Sequence, residues 1–340
     1  PPAGAAAAAR ASEAFGAGPG AVRFISGTFS PHVELERRLA AFHGREAGMI
    51  YSSAYAAIMG VLPPLIAEGT GVISDELNHN SIINAVRLAQ PAEKRVYPHL
   101  DMGALEAALD ELAGRCRRAL IVTDGVFSMR GDHAPLARIA ALARAFDARF
   151  PENAIVVVDD SHGVGALGET GRGTEEQSGA RADVLVATLG KALGVNGGYV
   201  VGARSLVDFL RERSPFYVFS NPITPGEAAA AAQALALLDS EAGRARLAQL
   251  RAATRRFQEG LARLGYESIA GEHPVVPVLI RDTPRTAALV RHLRERGVLA
   301  TGLGFPVVPR GEEEIRFQLS ADHTPFDVDE ALRALESFPR

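Results

Sequence analysis

Asp183-Val-Leu-Val-Ala-Thr-Leu-Gly-Lys191 is a run of apolar residues ending in a small-residue turn that carries a lysine, with Ala192-Leu-Gly194 beyond it. Upstream, Ala154-Ile-Val-Val-Val158 ends in Asp159-Asp160-Ser161-His162-Gly163. Both runs are continuously apolar rather than alternating, the pattern of strands buried on both faces. Gly48-Met-Ile-Tyr51, Gly71-Val-Ile-Ser74, Ala119-Leu-Ile-Val122 and Tyr199-Val-Val-Gly202 read as further strands, and helical segments such as Pro135 to Phe146 lie between several of them. Strands alternating with helices define an α/β protein with a mostly parallel central sheet covered on both faces. In such a sheet, ligands sit outside the carboxyl ends of the strands. The lysine and the acid–histidine cluster fall there.

The chain has 340 residues, is 47% hydrophobic and carries a formal net charge of −4. That length suits two domains of roughly 100–200 residues each, and the hydrophobic fraction is that of a folded globular protein. The charge gives no reason to expect nucleic acid or an anionic membrane as partner. Cys116 is the single cysteine, so no intramolecular disulfide is available and a reducing cytoplasm is the expected home. No apolar stretch reaches about 18 residues, so no spanning helix is expected. The histidines show no paired spacing, with one another or with Cys116, that suits zinc, and no metal site is expected. The alanine run Ala5 to Ala9 lacks the large apolar residues and basic flank of a signal peptide and reads as a surface helix or arm.

Residues 1–32, with Gly16, Gly18, Gly20 and Gly27, read as an irregular N-terminal arm that is incomplete. From Val33, Leu35, Leu39 and Phe42 recur at helical spacing and Gly44 is a plausible stop. Residues 33–225 form the expected large domain. A long Ala/Leu/Arg helical region follows through Leu264. Residues 226–340 form a smaller α+β domain with Val275 to Ile280 and Ile315 to Leu319 as strands.

Polar residues collect where the strands end: Ser52 and Ser53, Asp75 to His79, Asp124 and Ser128, Asp159 to His162, and Thr188 to Lys191. A lysine so placed forms a Schiff base with pyridoxal 5'-phosphate, and an aspartate holds the pyridinium nitrogen protonated. Lys191 and Asp159 are the residues predicted for these roles. His162 is placed to bond the phenolic oxygen and His79 to stack on the ring. The helix that follows Ser52-Ser53 offers backbone N–H groups at Ala54 and Tyr55 to a phosphate at the positive end of its dipole, and Thr188 adds a hydroxyl. A P-loop is excluded, because Leu185 and Ala192 stand where that motif needs Gly and Ser or Thr. Arg316 has the planar fork that matches a substrate carboxylate.

Ser74-Asp-Glu-Leu-Asn-His79, Thr123-Asp-Gly-Val-Phe-Ser-Met129, Val158-Asp-Asp-Ser-His162, Thr188-Leu-Gly-Lys191 and Phe219-Ser-Asn221 together resemble the α-oxoamine synthases. These are pyridoxal phosphate enzymes of fold type I, the aminotransferase-like fold, and the resemblance runs from about Phe15 to the C-terminus. Arg23-Phe-Ile-Ser-Gly-Thr28, Ser220-Asn221 and Ile315-Arg316 look nearest to the 2-amino-3-ketobutyrate CoA ligase branch. The resemblance implies that Lys191 carries the cofactor and later moves protons at the substrate α-carbon. It adds Ser128 beside His162 at the phenolic oxygen. It also implies a homodimer with shared active sites, in which Ser220 and Asn221 reach the neighbouring subunit's phosphate. The chain departs from the usual pattern at Ala54, Ile58 and Asn80.

The implied reaction is a Claisen-type condensation of an amino acid with an acyl-CoA, releasing CoA and giving an α-amino ketone. Glycine with a short acyl-CoA is the first choice of substrates. A decarboxylative condensation of the 8-amino-7-oxononanoate synthase type is the alternative, with an aminotransferase or lyase on the same fold behind it. A non-catalytic partner subunit is the reading from another class; the presence of Lys191 speaks against it.

Overall fold

The computed structural model describes residues 2–339. It divides into two units, Pro1–Val126 with His133–Ser240, and Phe127–Asp132 with Glu241–Arg340. The first unit is built on seven strands: β1 (Ala47–Tyr51), β2 (Thr70–Asp75), β3 (Glu93–Tyr97), β4 (Arg118–Asp124), β5 (Asn153–Asp159), β6 (Val184–Thr188) and β7 (Gly198–Gly202). Their order in the sheet is β1-β7-β6-β5-β4-β2-β3. The pairs from β3 to β6 are parallel, and β7 runs antiparallel to both its neighbours. The carboxyl ends of β1, β2, β4, β5 and β6 therefore share one edge, as their polar tails required.

The apolar strands are buried throughout β1, β2 and β7 and nearly so in β4 to β6. Val72, Leu120, Val122, Val157, Val186 and Val200 pack into one core with Ile58, Val61 and Leu62 of the helix Ala54–Leu65 and with Ile82, Ala85 and Val86 of Asn80–Ala89. Helix Leu136–Phe146 begins after Pro135, as its spacing predicted, and packs against β5. Helix Ser30–Phe42 stops where Gly44 takes a φ of 60°, a conformation that costs glycine little. Part of the segment that reads as an irregular arm is a helix, Pro2–Phe15, packed against Pro225–Leu238. Alanine, the best helix former, outweighs the absence of a strong apolar stripe there.

The same unit contains a buried ionic anchor. Glu36 receives bonds from Arg23 at 3.0 Å and Arg211 at 2.8 Å, and from the Ile50 N–H at 3.1 Å. It ties the segment before the helix Ser30–Phe42 to β1 and to the helix Arg204–Arg213.

The second unit has a four-stranded sheet of β8 (Glu267–Ser268), β9 (Val275–Leu279), β10 (Thr301–Leu303) and β11 (Glu314–Gln318), in the order β10-β11-β9-β8 and antiparallel throughout. Phe257, Leu261, Val276, Val278, Leu289, Ile315 and Phe317 form its core. Among the described residues, no helix is long and apolar enough to cross a membrane.

Replacing Glu36 with alanine leaves the Arg23 guanidinium buried without its carboxylate. The expected loss is about 3–5 kcal/mol, read as a lower denaturant midpoint with an unchanged slope.

Candidate active site

The edge formed by the ends of β2, β4 and β5 gathers carboxyls out of water. Asp124 and Asp159 are register partners on neighbouring parallel strands, and both are buried. Burial and then the adjacent Asp159 push the Asp124 carboxyl well above its ordinary range, while the His79 N–H and the Lys191 charge pull the other way. Burial also raises Asp159, opposed by bonds from Ser161 and by the charges of Lys191 and His79. The Ser161 N–H donates to Asp159 Oδ1 at 3.0 Å. The Lys191 charge thus acts on both acids; the sequence singled out Asp159 and Lys191, whereas Asp124 was noted only as a polar residue after its strand.

Asp160 takes no part in this pair. Successive side chains on a strand point to opposite faces, and Asp160 turns the other way. It accepts from Thr174 N at 2.7 Å and Thr174 Oγ1 at 2.5 Å. A Cβ at Gly125, Gly163 or Gly173 would collide with its carboxyl. Burial raises this acid to about 7 despite the two Thr174 bonds.

His79 caps the helix Asn80–Ala89. Its Nδ1 accepts from Ser81 N at 3.2 Å and lies 2.8 Å from Ser81 Oγ, while its own N–H donates to Asp124 Oδ2 at 2.8 Å. The imidazole is held at the exposed end of β2 rather than in the core. Asn80 is used locally: Asn84 Nδ2 donates to Asn80 Oδ1 at 2.7 Å and to Tyr55 Oη at 2.7 Å. Ile58 is fully buried in the apolar core, so a polar residue at that position would need a partner there.

Helix Ala54–Leu65 starts at Ser53, whose hydroxyl accepts from Ala56 N at 3.0 Å. The N–H groups of Ala54 and Tyr55, in its first turn, have no intrahelical carbonyl to bond. Gly198 lets this end approach β7, because a Cβ there would strike the main chain of Ser53 and Ala54. Thr188 Oγ1 accepts from Gly190 N at 3.0 Å and donates to Gly197 O at 3.2 Å, shaping the turn that carries Lys191. His162 is half-buried in the loop after β5. Ser220 and Asn221 lie between the helices Pro215–Val218 and Pro225–Leu238, with Asn221 exposed.

In the second unit, Arg316 is half-buried on β11 and its Nε donates to Ser128 O at 2.6 Å. Burial lowers its pKa and Glu314 raises it. The Glu314 carboxyl is itself raised to about 7 by burial. Sequence reasoning did not single out Glu314.

An amine acting on two buried carboxyls and a helix N-terminus offering N–H groups, brought close to β7 by Gly198, together suit an anionic pyridine aldehyde. The class I and II aminotransferase family model matches residues 2–335. The 8-amino-7-oxononanoate synthase of Symbiobacterium thermophilum is 43% identical over 332 residues, covering 97% of this chain and 82% of its own. That of Thermosipho melanesiensis is 42% identical, with the same coverage. Serine palmitoyltransferase of Sphingomonas wittichii superposes with a TM-score of 0.93 at 31% identity, over 99% of this chain and 83% of its own. The chain belongs to the class I and II aminotransferase family, and within it to the α-oxoamine synthases. It is a pyridoxal 5'-phosphate enzyme that condenses an amino acid with an acyl thioester.

Asp160 gives the fold a pH dependence. A carboxyl raised in the folded state contributes stability that is complete below the ordinary carboxylate range and is lost as pH rises through its folded value, here about 7. The free energy of unfolding should fall as pH rises from the ordinary carboxylate range to about 7, and Asp160→Asn should flatten that fall in denaturant titrations.

Proposed function

We propose that this chain makes 8-amino-7-oxononanoate from alanine and a thioester of the seven-carbon diacid, pimelic acid. The observation that carries this reading is the 43% identity to an 8-amino-7-oxononanoate synthase across nearly the whole chain. The product's structure dictates the substrates. A new bond between the amine-bearing carbon and the ketone carbon leaves a methyl on the former, which is alanine's side chain. The ketone and the six carbons beyond it are then the acyl group. The amino acid's carboxylate leaves as carbon dioxide, and the thiol of the acyl donor leaves as the second product. CoA is the thiol in this reading. The relatives' product thus favours alanine over glycine.

Bound pyridoxal phosphate supplies a sink for the electron pair left on the amino-acid α-carbon. Lys191 anchors that cofactor covalently and moves the α-proton. A base at this position works best when it titrates near the working pH. Asp159, ionised, keeps the ring nitrogen protonated, and His79 covers one ring face. Ser128 and His162 hold the phenolic oxygen. Ala54 and Tyr55, through their N–H groups, and Thr188, through its hydroxyl, hold the phosphate. Arg316 receives the amino-acid carboxylate. Ser220 and Asn221 serve the phosphate of a second subunit, so the working unit is a homodimer, and its home is a reducing cytoplasm. A light-scattering mass equal to one chain would remove the shared-site part of this reading.

With alanine, thiol release should be fastest from the pimeloyl thioester and should be matched by one equivalent of carbon dioxide. Faster release with glycine and an acetyl thioester would overturn the substrate assignment. Lys191→Ala should lose the visible absorbance of the bound cofactor and at least about 10²-fold in turnover. For Arg316→Met the Michaelis constant for alanine should rise about 10- to 100-fold, the worth of a bond to a charged group, while that for the thioester stays put.

A further inference from the structure

Asp124 has no role in the proposal above, yet its bonds link the ends of two strands at the site. Its Oδ2 accepts the His79 N–H at 2.8 Å, and its own N–H donates to Asn78 Oδ1 at 2.8 Å. Asn78 Nδ2 then bonds Val122 O at 2.8 Å and Ser74 Oγ at 2.9 Å. The segment after β2 is thereby laced to the end of β4 at Asn78 and at His79. On its other flank, Asp124 faces Asp159 across the β4–β5 pair, and Gly125 N bonds Asp159 O at 2.8 Å.

We propose that Asp124 is a positioning residue for the condensation: it fixes the main chain of His79 and, as the lateral neighbour of Asp159, sets the net charge of the acid pair. The inference rests on the roles given above to His79 and Asp159. Two carboxyls this close in a dry site do not both ionise at little cost. The groups facing Asp124 divide by sign. Asp159 on β5 and Asp75 on β2 favour its protonation, whereas Lys191 after β6 and the His79 N–H favour its ionisation. Asp159 has in addition the Ser161 bonds and the charge of His79. Asp124 is therefore the member of the pair pushed further toward its neutral form, and Asp159 the one held toward its charge. A neutral acid still accepts the His79 N–H through its carbonyl oxygen, so both tasks are compatible.

Two variants separate these tasks. Asp124→Asn retains a carbonyl acceptor and removes the titration; Asp124→Ala removes both. At equal cofactor occupancy, measured by visible absorbance, the alanine variant should lose about 10- to 100-fold in kcat, the cost of a displaced site group. The asparagine variant should recover most of that loss. Independently of turnover, thermal unfolding of the cofactor-free full chain reads the charge. A carboxyl raised in the folded state costs stability as pH rises through its folded value. The melting temperature of Asp124→Asn, relative to the unaltered chain, should therefore climb with pH. A pH-independent difference, or an asparagine variant as slow as alanine, overturns the inference. If the alanine variant does not fold, the pH series on asparagine still decides. Failure of the underlying functional reading shows differently, as an unaltered chain with no cofactor absorbance.

Discussion

Two carboxyls, Asp124 and Asp159, have been taken out of bulk water at the ends of adjacent strands, next to the strand whose turn carries Lys191. Moving such ions inside costs several kcal/mol each even after relaxation, so a fold does not keep them there for its own stability. Perturbed acids gathered beside an amine are what chemistry on a bound group requires. The parallel run β4-β5-β6 makes this possible, because it brings Asp124, Asp159 and the Lys191 turn to one edge without any of them lying near the others in sequence.

The adjacent acids Asp159 and Asp160 show how strongly strand geometry divides labour. One points toward the lysine. Its neighbour points into a lining of Gly125, Gly163 and Gly173 and clamps Thr174. The loop from Gly163 to Gly173 is therefore tied down at both ends around the Asp160 carboxyl. Exchanging the two acids by a slip of one residue would reverse both assignments.

Much of this was legible from residue patterns. β2, β4, β5 and β6 are continuous apolar runs, and each ends in the polar tail that identified the site. β3 escaped because Glu93-Lys-Arg-Val-Tyr97 is an edge strand with partly exposed, charged positions, so it lacks the pattern of a buried strand. β8 and β10 are too short and exposed to leave a periodic signal. Asp124 was visible as a polar residue after a strand, but its importance lies in β4–β5 register and in a bond to the His79 main chain. Neither is written in local sequence. Ile58 reads as a departure at a family position and proves to be core, which burial alone could reveal.

The placement of β7 has a consequence for how the chain is made. β1 pairs with β7 and, among the described residues, with no other strand. During synthesis from the N-terminus, Met49, Ile50 and Tyr51 emerge long before the segment that hydrogen-bonds them. β2 to β6 can assemble as a continuous parallel array while that first strand waits. Its apolar edge must be shielded in the meantime, since exposed unpaired strands are what drive nascent chains to aggregate. The sheet is sealed last at the strand synthesised first.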